Sequence, residues 1–188
     1  DMTLLDSALL AAKESPVPVT CIDSTQVGIA TGFAAGRAVE ARNAGEDAAG
    51  VAEAARRAGE SSTCLLYVDT LEYLKRGGRV GAAAALIGSA LAVKPILTIR
   101  DGLVVPLERV RTQAKALARL EALAVESAQA CDKGFQVGVQ HLASPAVAEA
   151  VASRLAAALA LDSVAVDEVG ASSGAHVGPG MISVSVTP

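Results

Sequence analysis

Aromatic residues are almost missing from this sequence. Of 188 residues only Phe33, Phe135, Tyr67 and Tyr73 are aromatic, about 2%, and there is no tryptophan. Proteins that hold single-stranded nucleic acid pair stacking platforms with a basic groove. Here the platforms are lacking and the formal net charge is -4, so no nucleic-acid partner is expected. The one local basic cluster, Arg109, Arg111 and Lys115, reads as a solvated face or a surface for a protein partner. Histidine is scarce as well: His141 and His176 are the whole supply. With no Cys, His and carboxylate set at ligand spacing, no zinc site is expected. There is no G-x-S-x-G nucleophile elbow. The longest apolar stretch, Ala82 to Val93, is shorter than the roughly 20 residues a bilayer requires. Neither an integral membrane association nor a signal peptide is expected.

The three cysteines, Cys21, Cys64 and Cys131, form no C-x-x-C pair and are odd in number. Cys21 and Cys64 lie in apolar runs that read as strands, so both are expected as buried free thiols. Free thiols fit a reducing, cytoplasmic compartment. What the chain does have is aliphatic bulk in small units. Hydrophobic residues make up 52% and charged residues 19%, enough to fold and far from a disordered composition. The core must come from Ala, Val, Leu and Ile packed closely.

Periodicity and punctuation predict a helix over 4–14, stopped by Pro16 and Pro18, then a short buried strand over 17–22. Helices follow over 26–42 and 47–58, then a strand over 63–68. Asp69 and Thr70 read as N-caps of a short helix over 71–75, and an Ala-rich helix is expected over 82–91. Strands over 95–99 and 103–110 flank Asp101-Gly102, a strong tight-turn signal. Pro106 marks the return strand as an edge or the site of a bulge. A long helix over 112–130 precedes a strand over 135–141. Ser144-Pro145 then starts a helix running to about residue 161. A strand over 164–169, a glycine-rich loop over 170–180 and a strand over 181–186 close the chain. The order implies an α/β protein with a mixed sheet covered by helices. Asp1 runs straight into a helical pattern, which implies that the sequence continues upstream as part of a longer protein.

Three places carry chemistry. In Gly77-Gly78-Arg79-Val80-Gly81, adjacent glycines permit unusual backbone angles and Arg79 can be aimed into a cleft; the alternative is a helix C-cap with a surface arginine. Gly174-Ala175-His176-Val177-Gly178-Pro179-Gly180 lets backbone amides approach an anion around one imidazole; the alternative is a rigid turn with a hydrogen-bonded histidine. Asp23-Ser24-Thr25 follows a predicted strand, where open α/β sheets bind ligands, or else caps the next helix. His141, ending a strand, reads as a structural residue. One enzymatic reading remains open beside these: a small-molecule hydrolase or phosphotransfer subunit using His176 as base or nucleophile.

Taken in order, Val68-Asp69-Thr70-Leu71-Glu72-Tyr73-Leu74-Lys75-Arg76-Gly77-Gly78-Arg79-Val80, Leu86 to Leu91, Lys94-Pro95-Ile96-Leu97, Asp101-Gly102, Val110-Arg111 and Gly174 to Gly180 resemble the DegV family. The resemblance runs from about Ser7 nearly to the C-terminus. It implies a two-lobed α/β protein, with residues 1–62 as the remainder of the first lobe and 63–188 as the second. It also implies a carrier rather than an enzyme, needing no cofactor and enclosing a long-chain fatty acid that a fatty acid kinase would phosphorylate. By that likeness Arg79 and His176 stand near the carboxylate, with Gly78 and Gly178 in the turns that carry them. Ser24 lines the first-lobe side, and the helix from Leu86 to Leu91 walls the acyl chain. The family's earlier Thr-Ser and Ser-Gly-Thr segments, which hold the carboxylate, have no counterpart here.

Overall fold

A computed structural model describes residues 4–86, 93–132 and 134–188. Three helices come first: α1 (Leu4–Glu14), α2 (Ile29–Asn43) and α3 (Ala48–Ser61). Asp47 caps α3 by accepting the Gly50 N–H at 2.8 Å. Strand β1 (Thr63–Tyr67) leads to the short α4 (Glu72–Arg76) and a 3₁₀ helix over Gly81–Leu86. The hairpin β2 (Lys94–Arg100) and β3 (Leu103–Val110) is followed by α5 (Gln113–Gln129), β4 (Gln136–His141) and α6 (Pro145–Leu159). Then come β5 (Ala165–Glu168), α7 (Ala171–Val177) and β6 (Ile182–Thr187).

The six strands form one sheet in the order β3-β2-β1-β6-β4-β5. β4 and β5 are parallel and every other pairing is antiparallel, so the sheet is mixed, as expected. Asp101 and Gly102 both have positive φ, 51° and 72°, as a two-residue hairpin turn demands. Pro106 is on the edge strand β3, beside the register shift between Ile96 and Leu97. An edge position leaves its missing N–H without cost to a second ladder.

Alternation decides the two faces. Leu65, Tyr67, Ile96, Val137, Val139, Ile182, Val184 and Val186 point to one side, where α5 and α6 cover them. Helix α5 presents Ala116, Leu120, Ala124 and Ala128, four residues apart, so a mostly methyl stripe lies close on the strands. The other face holds Cys64, Leu66, Val68, Leu97, Ile99 and Met181 under Leu71, Leu74, Ala83 and Val177. Toward β4 and β6 the second face turns small and polar. There Ile29 and Phe33 of α2 sit on Gly138, and the Ile29 N–H donates to Gln140 Oε1 at 2.7 Å. Ser62, at the end of α3, shares a 2.7 Å hydroxyl bond with Thr187.

The structure corrects three expectations. Residues 17–22 form no strand: they find no ladder partner among the described residues, and an extended run without one is not a strand. Cys21, in that segment, is half-buried rather than in the core, whereas Cys64 is 1% exposed as expected. The glycine-rich segment is not a loop throughout, because 171–177 is the helix α7. Its small residues read as loop by propensity. Burial of Gly174 against Leu142 and Val169, and of Val177 in the core, favours the helix in place. The helix expected over 82–91 begins as the 3₁₀ helix; residues 87–92 lie outside the described residues.

Candidate ligand site

The turn after α4 is built by its own glycines. Arg79 N–H donates to Leu74 O at 2.8 Å and Gly78 N–H to Lys75 O at 3.1 Å, the paired bonds of a Schellman C-cap. Gly78 supplies the left-handed residue at φ 69°. The helix-cap reading of these glycines is therefore correct for the backbone, and it is also what fixes Arg79. That side chain is exposed, its Nη1 donating to Gly77 O at 2.8 Å.

His176 stands in the last turn of α7 and comes to rest on this cap. Its ring lies so close to Gly77 that a methyl there would fall within the imidazole. Nδ1 is buried by the contact and has no hydrogen-bond partner among the described residues. Two more contacts continue along the same line. Gly178, at φ 76°, packs on the Tyr73 ring, and Gly180, at φ 87°, packs on the Asp69 carboxylate. Residues 176, 178 and 180 thus meet 77, 73 and 69: the end of α7 and the bend after it lie against α4 and the residues on either side of it. Any side chain at these glycines would separate the two segments. That need explains why glycine recurs in both motifs.

The structure thereby brings Arg79, Gly78, His176 and Gly178 to one place, where β1 ends. Ser24 makes its contacts elsewhere. Its Oγ shares a 3.1 Å bond with Thr31 Oγ1, its backbone lies against Gly59, and neighbouring Gln26 donates to Ser62 O at 3.3 Å. Those partners stand where the chain leads into β1. Leu86 ends the 3₁₀ helix five residues beyond Gly81. His141 is structural, as expected: it is buried, and its Nδ1 accepts the Ser144 N–H at 3.3 Å near the start of α6.

Clefts elsewhere on the surface do not coincide with this cluster. One of about 530 Å³ runs between α2 and α3, beside Arg37 and Arg57. Another of about 620 Å³ is lined by Gln26, Ser62, Leu65, Ile99 and Arg100. Neither contains Arg79 or His176. Asp69, Tyr73 and Lys94 escaped attention in the sequence as site residues. The four-residue spacing of Asp69, Tyr73 and Gly77 was the signal that could have found the first two.

Residues 4–188 match the family described as "Uncharacterised protein, DegV family". The chain belongs to the DegV family. A DegV domain-containing protein of Streptomyces coelicolor is 46% identical over 183 residues, spanning 97% of this chain and 64% of that protein. The chain therefore spans slightly under two thirds of the length of this DegV relative. Among solved structures, a fatty acid binding DegV family protein from Streptococcus agalactiae superposes with a TM-score of 0.86 at 25% identity, over 98% of this chain and 65% of the other. DegV of Bacillus subtilis, described as a fatty acid binding protein, gives 0.82 at 29% identity over 97% and 65%. The mixed α/β fold is that of these DegV structures. Among the described residues no helix is long and apolar enough to cross a membrane.

Proposed function

We propose that this chain is the greater part of a cytoplasmic fatty-acid carrier, closing a long-chain acid between a first lobe completed by residues 1–62 and a second formed by 63–188. The carrier does no chemistry itself and presents the carboxylate to a fatty acid kinase. One observation carries the reading: His176 and the Arg79 turn, far apart in sequence, are locked together by glycine contacts in a chain whose DegV neighbours are described as binding fatty acids. Arg79 supplies the permanent cation for the carboxylate. The Nδ1 of His176 is buried against Gly77, which leaves Nε2 as the nitrogen that reaches the ligand. Gly78 and Gly178 bend the two segments and Leu86 begins the wall of the acyl channel. Ser24, held by Thr31 and Gly59 where the chain leads into β1, lines the first-lobe side away from the carboxylate. Free thiols agree with a reducing compartment.

The physical terms are adequate. Each buried methylene is worth about 0.8 kcal/mol, so a sixteen-carbon chain offers roughly 12 kcal/mol before the costs of ordering it. A carboxylate cannot share that apolar setting without donors. Native mass spectrometry of the full-length natural protein tests the reading: a co-purifying long-chain fatty acid is expected, and a protein that carries and takes up none refutes it. Formation of acyl phosphate on adding a fatty acid kinase and ATP tests the presentation step. Turnover of an ester abolished by His176→Ala would favour the hydrolase instead.

A further inference from the structure

Asp69 looks like a helix cap in the sequence, but Thr70 takes part of that work: its Oγ1 accepts the Glu72 N–H at 3.2 Å. The Asp69 carboxylate is engaged elsewhere. Oδ1 accepts the Tyr67 hydroxyl at 2.5 Å and the Lys94 ammonium at 3.0 Å, and Lys94 also donates to Asp69 O at 3.1 Å. Tyr67 is wholly buried in the core beneath α5 and α6, so one end of this network is fixed by packing. Lys94 stands 6.0 Å from the centre of the Tyr67 ring, closing the triangle. The other carboxylate oxygen, Oδ2, faces Gly180, where a Cβ would stand only 2.5 Å away. Gly180 N–H is in turn held by Leu142 O at 2.9 Å. The bend that follows His176 is therefore clamped between the end of β4 and the Asp69 carboxylate.

We infer that Asp69 is a positioning residue for the ligand site, holding His176 at its working place through the Gly178–Gly180 bend. The inference rests on the fatty-acid reading above. A half-exposed ion pair alone would do little. Here the lysine only completes a carboxylate already anchored on a buried phenol, and a network of that kind holds a fixed geometry. Tyr67 and Lys94 are the residues that keep Asp69 in its rotamer. None of the three needs to touch the ligand.

The test uses the full-length natural protein loaded with cis-parinaric acid, with transfer to phosphatidylcholine vesicles reporting the dissociation rate. Asp69→Asn preserves shape and removes the charge. It is expected to raise the rate about tenfold in the natural background and by less than about twofold when His176 is already Ala. Lys94→Arg should stay within about twofold of the natural protein, whereas Lys94→Met, which leaves the Tyr67 anchor, should raise the rate by less than Asp69→Asn does. An unchanged rate in Asp69→Asn overturns the inference. So does an equal factor in both backgrounds, which would make Asp69 a general stabiliser with no line to the imidazole. A natural protein that takes up no parinaric acid overturns the carrier reading first and this inference with it.

Discussion

Two neighbouring glycines separate backbone need from steric need. Gly77 has an ordinary helical backbone with φ of -78°, so alanine fits the chain there, but its methyl would displace the His176 ring. Gly78 has φ of 69° and meets no described atom within 4 Å, so alanine strains the backbone and disturbs nothing else. Gly77→Ala should cost about 1–3 kcal/mol through that overlap and weaken fatty-acid retention about tenfold. Gly78→Ala should cost about 1 kcal/mol of stability and spare retention. Thermal unfolding beside a fatty-acid displacement assay separates the two. Cys64 gives a second prediction at this scale. Burial pushes its thiol up to about 11 from the ordinary 9.0. The folded state then keeps a neutral thiol where the unfolded chain would ionise. This contribution is complete below pH 9 and is lost as pH rises to 11, about 3 kcal/mol in all. Denaturant titrations at pH 8 and 11 should show that loss in the natural sequence and a smaller one in Cys64→Ala. Equal losses would show that the thiol is not the titrating group. Asp69 runs the other way. The Tyr67 hydroxyl, then Lys94, hold its carboxyl below the usual range, so its share of stability is lost only as pH falls through that lowered value.

Most helices and strands were legible because period and punctuation agreed. Thr112, accepting the Lys115 N–H at 3.3 Å, starts α5 where a capping hydroxyl precedes an apolar stripe. Asp101-Gly102 turned as two-residue hairpins do. The failures have one physical source: a segment's neighbours outvoted its composition. Val17 to Ile22 has the residues of a strand but no described partner to complete a ladder. Ala171 to Val177 has the residues of a loop but packs as a helix. The candidate-site cluster was legible only as two separate motifs, because nothing in linear spacing says that 77 and 176 touch. The packing of α5 offers a test at this scale. Leu120→Ala removes the largest fully buried side chain of the stripe and should cost about 2–5 kcal/mol. Ala124→Leu inserts bulk where the helix lies close on the sheet and should cost about 1–3 kcal/mol through overpacking. Chemical denaturation measures both, and a neutral Ala124→Leu would mean that α5 rides higher than the methyl stripe implies.

At the scale of the whole chain, the question is whether residues 1–62 behave as their own lobe. Helix α1 buries no residue, and Leu4, Leu9, Leu10, Val17, Val19 and Val27 expose apolar surface. Helices α2 and α3 meet the sheet over β4 and β6, through contacts that include Ile29 and Phe33 on Gly138, the Ile29–Gln140 bond, and Ser62 with Thr187. The larger core under α5 and α6 takes no buried residue from 1–62. Opening the contact at Gly138 should therefore release the first part and leave the second folded. In Gly138→Val a branched side chain would stand where Ile29 Cδ1 is 2.5 Å and Phe33 Cζ 3.2 Å from the Cβ position. Hydrogen exchange followed by mass spectrometry should then show faster exchange over 29–61, while amides around Leu120, Val151 and Leu155 keep their protection. Simultaneous loss of protection in both regions would show one cooperative unit and remove the two-lobe division. If protection instead persists over 29–61, the α2 contact on Gly138 is not what holds the parts together.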